Sequence, residues 1–440
     1  MSNRTVATIY NPNLLSKKQL IGNYAVRLKK FQKLFKEIKT STMSRPEQHI
    51  LIEGQRGMGK TTLLLRLSYE VENDELLNTW LIPLVFNEEQ YDVSSLSGLW
   101  ELIAKYLGDK NEAFISLFDE MDSNYLRFDD NDEEYEKFIF NLLIRALKRE
   151  GKKILLFIDN FGEMFSKLES ESKRLREILM TCEHIRIIAA SSVVSEAFFK
   201  YDEPLYEFFK IEKLNELTLE ETKLLLLKLG ESYNKSKIKK IVENEPERIE
   251  TLRRLTGGVT RTIILLFEIF IDDETGNAFK DLESVLDRVT PLYKHRMDDL
   301  KPQPQKIVHS IAMNWDAIAV KEIAKKTRIP SKTVSAQLHK LVKNGIILKT
   351  ETTTKNHLYS VRERFFNIWY LMRNGRKGDK NKVIWLARFF ENWLNPKALR
   401  TRVEKFLQGY DSGAFEEEQI SFLILLFKHP SLNIPKYQLR

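Results

Sequence analysis

Short apolar runs alternate with amphipathic stretches through the first half of the chain. Ile50-Leu51-Ile52, Trp80 to Phe86, Ile154 to Ile158 and Ile185 to Ala190 are each bounded by polar or turn residues. Runs of this length read as strands buried on both faces, and the stretches between them as helices. A parallel sheet with helices on both faces is therefore expected from Gln48 to about Lys210. Leu96 to Leu107 is the helix after the second strand. Ahead of the sheet, Asn11 to Thr40 is an entry segment, with a helical pattern from Tyr24 to Ile38 that puts Val26, Phe31, Leu34, Phe35 and Ile38 on one face. After it the periodicity becomes helical throughout. Thr218-Leu219-Glu220-Glu221 is a capping box, and helices follow to about Tyr293, interrupted at Leu255-Thr256-Gly257-Gly258 before a fresh start carrying Arg261.

The next segment has a different pattern. Pro304 to Ile311, Val320 to Lys326 and Lys332 to Asn344 read as three helices, with Ser331 as the N-cap of the third. In that helix Val334, Leu338, Leu341 and Val342 form the buried face, and Lys332, Thr333, Ser335, Gln337, His339, Lys340 and Lys343 point outward. Gly345 ends it. Ile346 to Lys349 and His357 to Val361 make a hairpin whose polar tip, Thr352 to Asn356, carries Lys355. Three helices and a hairpin in this order are a winged helix-turn-helix, with the third helix suited to a DNA major groove and Lys355 to phosphate. Beyond it, Val383 to Trp393 and Leu399 to Leu407 are amphipathic, and Leu423 to Phe427 is apolar.

With 440 residues the chain is expected to hold several domains. Hydrophobic residues at 42% and charged residues at 30% suggest neither disorder nor membrane residence. No apolar stretch approaches a membrane span, the N-terminus has no apolar signal core, and one cysteine excludes an internal disulfide, so a cytoplasmic protein is expected. The net charge of +8 is unevenly spread: residues 301–376 hold 15 Lys and Arg against four acids. The rest of the chain is thus slightly acidic, and the basic excess has the outline of a nucleic-acid footprint. Asp119 to Glu136 is rich in acids but lacks the glycine of a calcium loop, and reads as a solvated acidic excursion.

Two motifs carry the chemistry. Gly54-Gln55-Arg56-Gly57-Met58-Gly59-Lys60-Thr61 fits G-x-x-x-x-G-K-[ST], follows an apolar strand and precedes the helical stretch that starts at Thr62. Its glycines let backbone N–H groups face phosphate oxygens, Lys60 supplies a point charge, and the Thr61 hydroxyl can ligate Mg²⁺. The second motif is Ile154-Leu155-Leu156-Phe157-Ile158-Asp159, a Walker B pattern in which Asp159 either holds Mg²⁺ or caps the next helix. Ser191 and Ser192 end the next strand. They either meet a γ-phosphate, if that strand lies beside the one ending at Asp159, or simply cap a following helix. The ligand set implied is ATP or ADP with Mg²⁺.

These residues, with Gly257-Gly258-x-x-Arg261, resemble the initiator-type AAA+ ATPases of the Orc/Cdc6 kind and the related archaeal-type and bacterial STAND ATPases, over about residues 11–374. The segment from Glu363 to Tyr370 resembles the one that closes the winged helix in the STAND branch. The resemblance implies that Ser191 or Ser192 is sensor 1, that Arg261 is sensor 2, and that Val26-Arg27 helps to seat adenine and ribose. It also implies an α/β P-loop NTPase domain followed by an all-helical lid, the winged helix and a short helical C-terminal region. The expected boundaries are 1–40, 41–212, 213–300, 301–376 and 377–440.

Two departures shape the expected activity. Asn160 stands where AAA+ motors have the second acid, and an amide is no general base. Glu163, three residues on, either substitutes for it or, as the favoured reading, is an exposed helical charge. No arginine lies between Arg186 and Arg248, so the usual arginine finger after sensor 1 is missing. A slowly hydrolysing nucleotide switch that contacts double-stranded DNA is the resulting expectation. The alternatives are an active DNA-loading or remodelling ATPase, and an immune-type signalling scaffold with a structural winged helix and a protein or homo-oligomeric partner.

Overall fold

The structure, a computed structural model, describes residues 12–86, 93–128, 131–192, 208–232, 237–271, 278–314, 316–352 and 357–374. Lys355 and the helical region expected beyond residue 376 lie outside them. The chain divides into two compact units, Met1–Asn215 and Glu216–Arg440.

Five strands form the first unit's sheet: β1 (His49–Glu53), β2 (Leu81–Phe86), β3 (Lys153–Ile158), β4 (Ile185–Ser191) and β5 (Phe209–Lys213). All pair in parallel, in the order β2-β3-β4-β1-β5. Every residue of β4 is buried. Because successive side chains point to opposite faces, this burial means that both faces are covered. β2 is an edge strand and accommodates Pro83, which pairs with Leu155 of β3. Trp100, Phe86, Phe114, Phe157 and Phe161 are among the largest buried side chains of the core.

The entry segment differs from its expected form. Its main helix is Leu28–Thr40, starting four residues later than Tyr24, because Arg27 adopts a left-handed backbone with φ of 61°. A separate helix, Lys17–Asn23, precedes it behind a capping box: Gln19 N–H donates to Ser16 Oγ at 3.3 Å, and Ser16 N–H to Gln19 Oε1 at 3.1 Å. Phe31, Leu34 and Ile38 are buried as expected, while Val26 and Phe35 are only partly so. An ion-pair network fastens this helix beneath the sheet. Arg186 of β4, 2% exposed, donates to Glu37 at 2.9 Å and to the Gln48 carbonyl at 3.2 Å. Lys210 of β5 reaches Glu37 at 2.5 Å, and Glu212 accepts from Lys30 at 2.7 Å.

The acidic stretch also needs correction. It contains helix Leu117–Asn124 and the start of helix Asp132–Arg149, whose first turn holds Asp132, Glu133 and Glu134 in line with the helix dipole. Glu136 is not solvated. It is 3% exposed and accepts hydrogen bonds from Trp100 Nε1 at 2.8 Å and Arg174 Nε at 3.2 Å.

In the second unit the Thr218–Glu221 capping box is present, with Glu221 N–H donating to Thr218 Oγ1 at 3.2 Å. Helices Leu219–Ser232, Lys237–Asn244, Pro246–Leu255, Thr260–Ile271 and Ala278–Asp298 follow. The basic segment has helices Pro302–Ala312, Val320–Thr327 and Ser331–Lys343, with strands β6 (Ile318–Ala319), β7 (Ile347–Thr350) and β8 (Leu358–Val361) in an antiparallel sheet ordered β6-β8-β7. Helix Arg364–Asn374 closes it. Its Asn367 Nδ2 donates to the Ala312 carbonyl at 2.6 Å, and its Trp369 Nε1 to Thr290 Oγ1 at 2.9 Å. Among the described residues no helix is long and apolar enough to cross a membrane.

One buried group of the first unit makes its stability depend on pH. His49 Nδ1 accepts the Ile187 N–H at 2.9 Å, which leaves Nε2 to donate to the Leu179 carbonyl at 3.3 Å. The bond to Nδ1 needs the neutral ring, and burial, with nearby Arg186, lowers its pKa to about 4. Between the unfolded value of about 6.5 and about 4, the unfolded chain binds a proton that the folded chain refuses. Stability is therefore full above the upper value and is lost as pH falls through the window. Denaturant titrations of wild type and His49→Phe at pH 7.5 and 4.5 should show their stability difference moving against wild type by about 2 to 3 kcal/mol at the lower pH. A difference independent of pH would contradict this assignment.

Candidate functional site

The phosphate loop leaves the sheet as an extension of its ladder. Gly54 N–H donates to the Ser191 carbonyl at 3.2 Å, and Met58 N–H closes a turn onto Gln55 at 3.3 Å. Gly57 and Gly59 have φ of 86° and 87°, values that favour glycine. At Gly59 an added Cβ would meet nothing within 4 Å, so backbone conformation and not space demands glycine there. Gly59 is also the N-cap of helix Lys60–Asn73, whose first residues are Lys60, Thr61 and Thr62. Lys60 is folded back on the loop, its ammonium donating to the carbonyls of Gly54 at 2.8 Å and Gln55 at 3.1 Å. Arg56 lies in the turn between Gln55 and Gly57, half-buried.

Asp159 follows β3 directly, and the Thr61 hydroxyl donates to its Oδ2. Its Oδ1 accepts the Asn160 N–H at 2.9 Å. Asp159 does not cap the next helix: Asn160 is the N-cap of Phe161–Lys167 and makes no side-chain cap bond. Asn160 instead has a left-handed backbone, φ 52°, and its Nδ2 donates to Glu163 Oε2 at 2.6 Å. Glu163 is exposed. β4 lies beside β3, as the reading of Ser191 and Ser192 required, with Ile158 paired to Ala189. Ser191 is buried, and a Cβ on Gly162 would approach its Oγ to 3.1 Å. Ser192 follows, partly buried. Loop, carboxylate and buried serine thus meet at the carboxyl ends of three neighbouring strands, where open α/β sheets hold ligands.

Arg27, expected near a base and ribose, touches the loop itself: it is 7% exposed and its Nε donates to the Met58 carbonyl at 3.0 Å. At the opposite end of the sheet lies a cavity of about 470 Å³, bordered by Lys39, Asp74, Trp80 and Lys153. Its lysines are engaged, Lys39 by Asp74 at 2.6 Å and Lys153 by the Met43 carbonyl.

In the second unit, Gly257 and Gly258 have φ of 58° and 64° and end helix Pro246–Leu255; Arg261 is the second residue of the next helix. The Gly257 turn packs on Glu363, with an added Cβ lying 3.4 Å from the Glu363 Cβ. Sequence reasoning gave Glu363 no role of its own. It is 3% exposed and accepts from the Tyr293 hydroxyl and the Arg296 guanidinium. Burial and the neighbouring carboxylate push the Tyr293 pKa well up. The one available signal was an acid set against the apolar run Phe365-Phe366-Asn367-Ile368. In helix Ser331–Lys343, Lys332, Lys340 and Lys343 are exposed, Thr333 and Gln337 partly buried, and Val334, Leu338 and Leu341 buried; Val342 is only partly buried. Ser331 is the first helical residue and not the cap, a position held by Pro330.

No family model matches the sequence, and no curated protein matches it. Solved structures do. A Walker-type ATPase of Pyrococcus abyssi superposes with a TM-score of 0.51 at 15% identity, over 78% of this chain and 95% of that one. The Orc1 protein of Aeropyrum pernix, solved in complex with DNA, is similar over 84% of this chain and 97% of that one, at 13% identity and a TM-score of 0.42. Cdc6p of Pyrobaculum aerophilum covers 84% of this chain and 98% of its own, at 12% identity and a TM-score of 0.37. Identities this low speak for fold and not for activity. Loop chemistry and structural likeness point the same way, and the chain has the P-loop fold of the Walker-type ATPases.

Proposed function

We propose that this chain is an ATP-binding, AAA+/STAND-type switch that hydrolyses ATP slowly and couples its nucleotide state to DNA binding. The observation that carries the reading is the hydrogen bond between Thr61 and Asp159, which joins the phosphate loop to the end of β3. A hydroxyl and a carboxylate already in contact fit a shared Mg²⁺, and these two residues would hold it. When bound, the ion would neutralise charge on the β- and γ-phosphates. Lys60 would exchange its loop carbonyls for phosphate oxygens, and N–H groups of the loop and of the start of its helix would cradle them. Ser191 would sense the γ-phosphate from β4, and Arg261 from the helical lid. Support for coupling inside the second unit comes from Glu363, which packs on the Gly257 turn ahead of Arg261 and directly precedes the closing helix of the basic segment. We read residues 301–376 as a winged helix whose third helix presents Lys332, Thr333, Gln337, Lys340 and Lys343 to duplex DNA, with Lys355 at the wing.

Two measurements test the reading. Lys60→Ala should weaken ATP binding by about tenfold or more, the equivalent of a charge-assisted contact of about 1.5 to 3 kcal/mol. Calorimetry on the folded variant checks this, and an unchanged affinity would remove the phosphate-loop assignment. For DNA, Lys340→Glu with Lys343→Glu in the full chain should weaken duplex binding and reduce the slope of log K against log salt by about 2, at about 0.9 per lost phosphate contact. ATP affinity should be untouched. If wild type shows no DNA retention by anisotropy at low salt, the winged helix is an internal switch element, and the scaffold reading with a protein partner takes its place.

A further inference from the structure

Resting on the ATP-binding reading above, we infer that Glu163 is the carboxylate that activates the attacking water, and that Asn160 is its positioning residue. The carboxylate is thus displaced one helical turn along the chain from the position next to Asp159. Three observations converge on this turn. Asn160 holds a left-handed conformation directly after Asp159, so that the helix begins at Phe161 and Glu163 falls in its first turn. The Asn160 Nδ2 donates to Glu163 Oε2 at 2.6 Å, which fixes the carboxylate from the residue that an acid would otherwise occupy. Among the described residues Glu163 Oε1 has no hydrogen-bond partner, and the side chain is exposed, so one oxygen is held and the other can receive a proton. Gly162 lies between them, and its closeness to the Ser191 Oγ sets this turn over the ends of β3 and β4, beside Asp159 and the Thr61 hydroxyl.

In the reaction, Glu163 takes a proton from water as the water oxygen forms a bond to the γ-phosphorus. The bond from that phosphorus to the β–γ bridging oxygen breaks, and its electron pair stays on the departing ADP. Inorganic phosphate and ADP are the products, and Glu163 returns the proton to solvent. A side-chain amide cannot accept this proton, which is why Asn160 acts through Glu163 and not in its place.

The experiment measures ATP affinity by calorimetry, single-turnover hydrolysis with Mg²⁺, and thermal stability, all on the full chain. Glu163→Gln keeps the size of the side chain and should lower the single-turnover rate about 100-fold, with ATP affinity and melting temperature little changed. Asn160→Ala should lower the rate by about 10- to 100-fold by releasing the carboxylate. The double variant Asn160→Glu with Glu163→Gln returns an acid to the position next to Asp159 and should restore the rate to at least that of wild type. A Glu163→Gln rate equal to that of wild type would overturn the inference. So would a wild type that binds ATP without turning it over. A wild type that binds no ATP at all would overturn the nucleotide reading itself, and calorimetry separates that case from the other two.

Discussion

The site exists because β4 is hydrogen-bonded between β1 and β3. Phosphate loop and Asp159 belong to strands that are not neighbours, and only an intervening strand of the right length brings their ends level. β4 does this by pairing Ile188 with Ile50 on one side and with Phe157 on the other. The last residue of that strand, Ser191, then lends its carbonyl to Gly54, so the loop starts from a fixed point. Parallel pairing alone would not suffice. The Thr61–Asp159 bond ties the loop's helix to the end of β3 and closes the arrangement across β4.

Much of this was legible in the residues. Short apolar runs gave the strands, because a strand covered on both faces has no polar positions to disguise it. The loop and Asp159 were legible because phosphate chemistry demands particular residues at fixed spacing. The contacts that could not be read are those between residues distant in the chain. Nothing near Arg27 says that its guanidinium meets the Met58 carbonyl 31 positions later. Glu136 sits among acids and looks solvated, and only the fold reveals Trp100 and Arg174 waiting for it. Asn160 read as a lost acid; its bond to Glu163 depends on a positive φ that sequence pattern does not encode.

Buried charge recurs in both units. Arg186, inside a central strand, and Glu363, just ahead of the closing helix, would each be costly if left unpaired, by several kcal/mol. Each is instead paired with groups from other elements: Arg186 with Glu37 of the entry helix, Glu363 with Tyr293 and Arg296 of helix Ala278–Asp298. Such pairs specify one arrangement of the elements they join, since any slip strands a charge away from water. The entry helix that begins beside Arg27 and the turn that precedes Arg261 are both set by contacts of this kind.

Pro83 bears on how the molecule meets its neighbours in solution. A five-stranded parallel sheet has two outer rims, each able to template a further strand from another chain. At the β2 rim, Pro83 leaves a gap in the row of backbone donors, and at the β5 rim the exposed Lys213 places a charge beside the strand. Both rims therefore resist edge-to-edge growth. A sheet this apolar thus carries at both described edges a barrier to recruiting a strand from another copy.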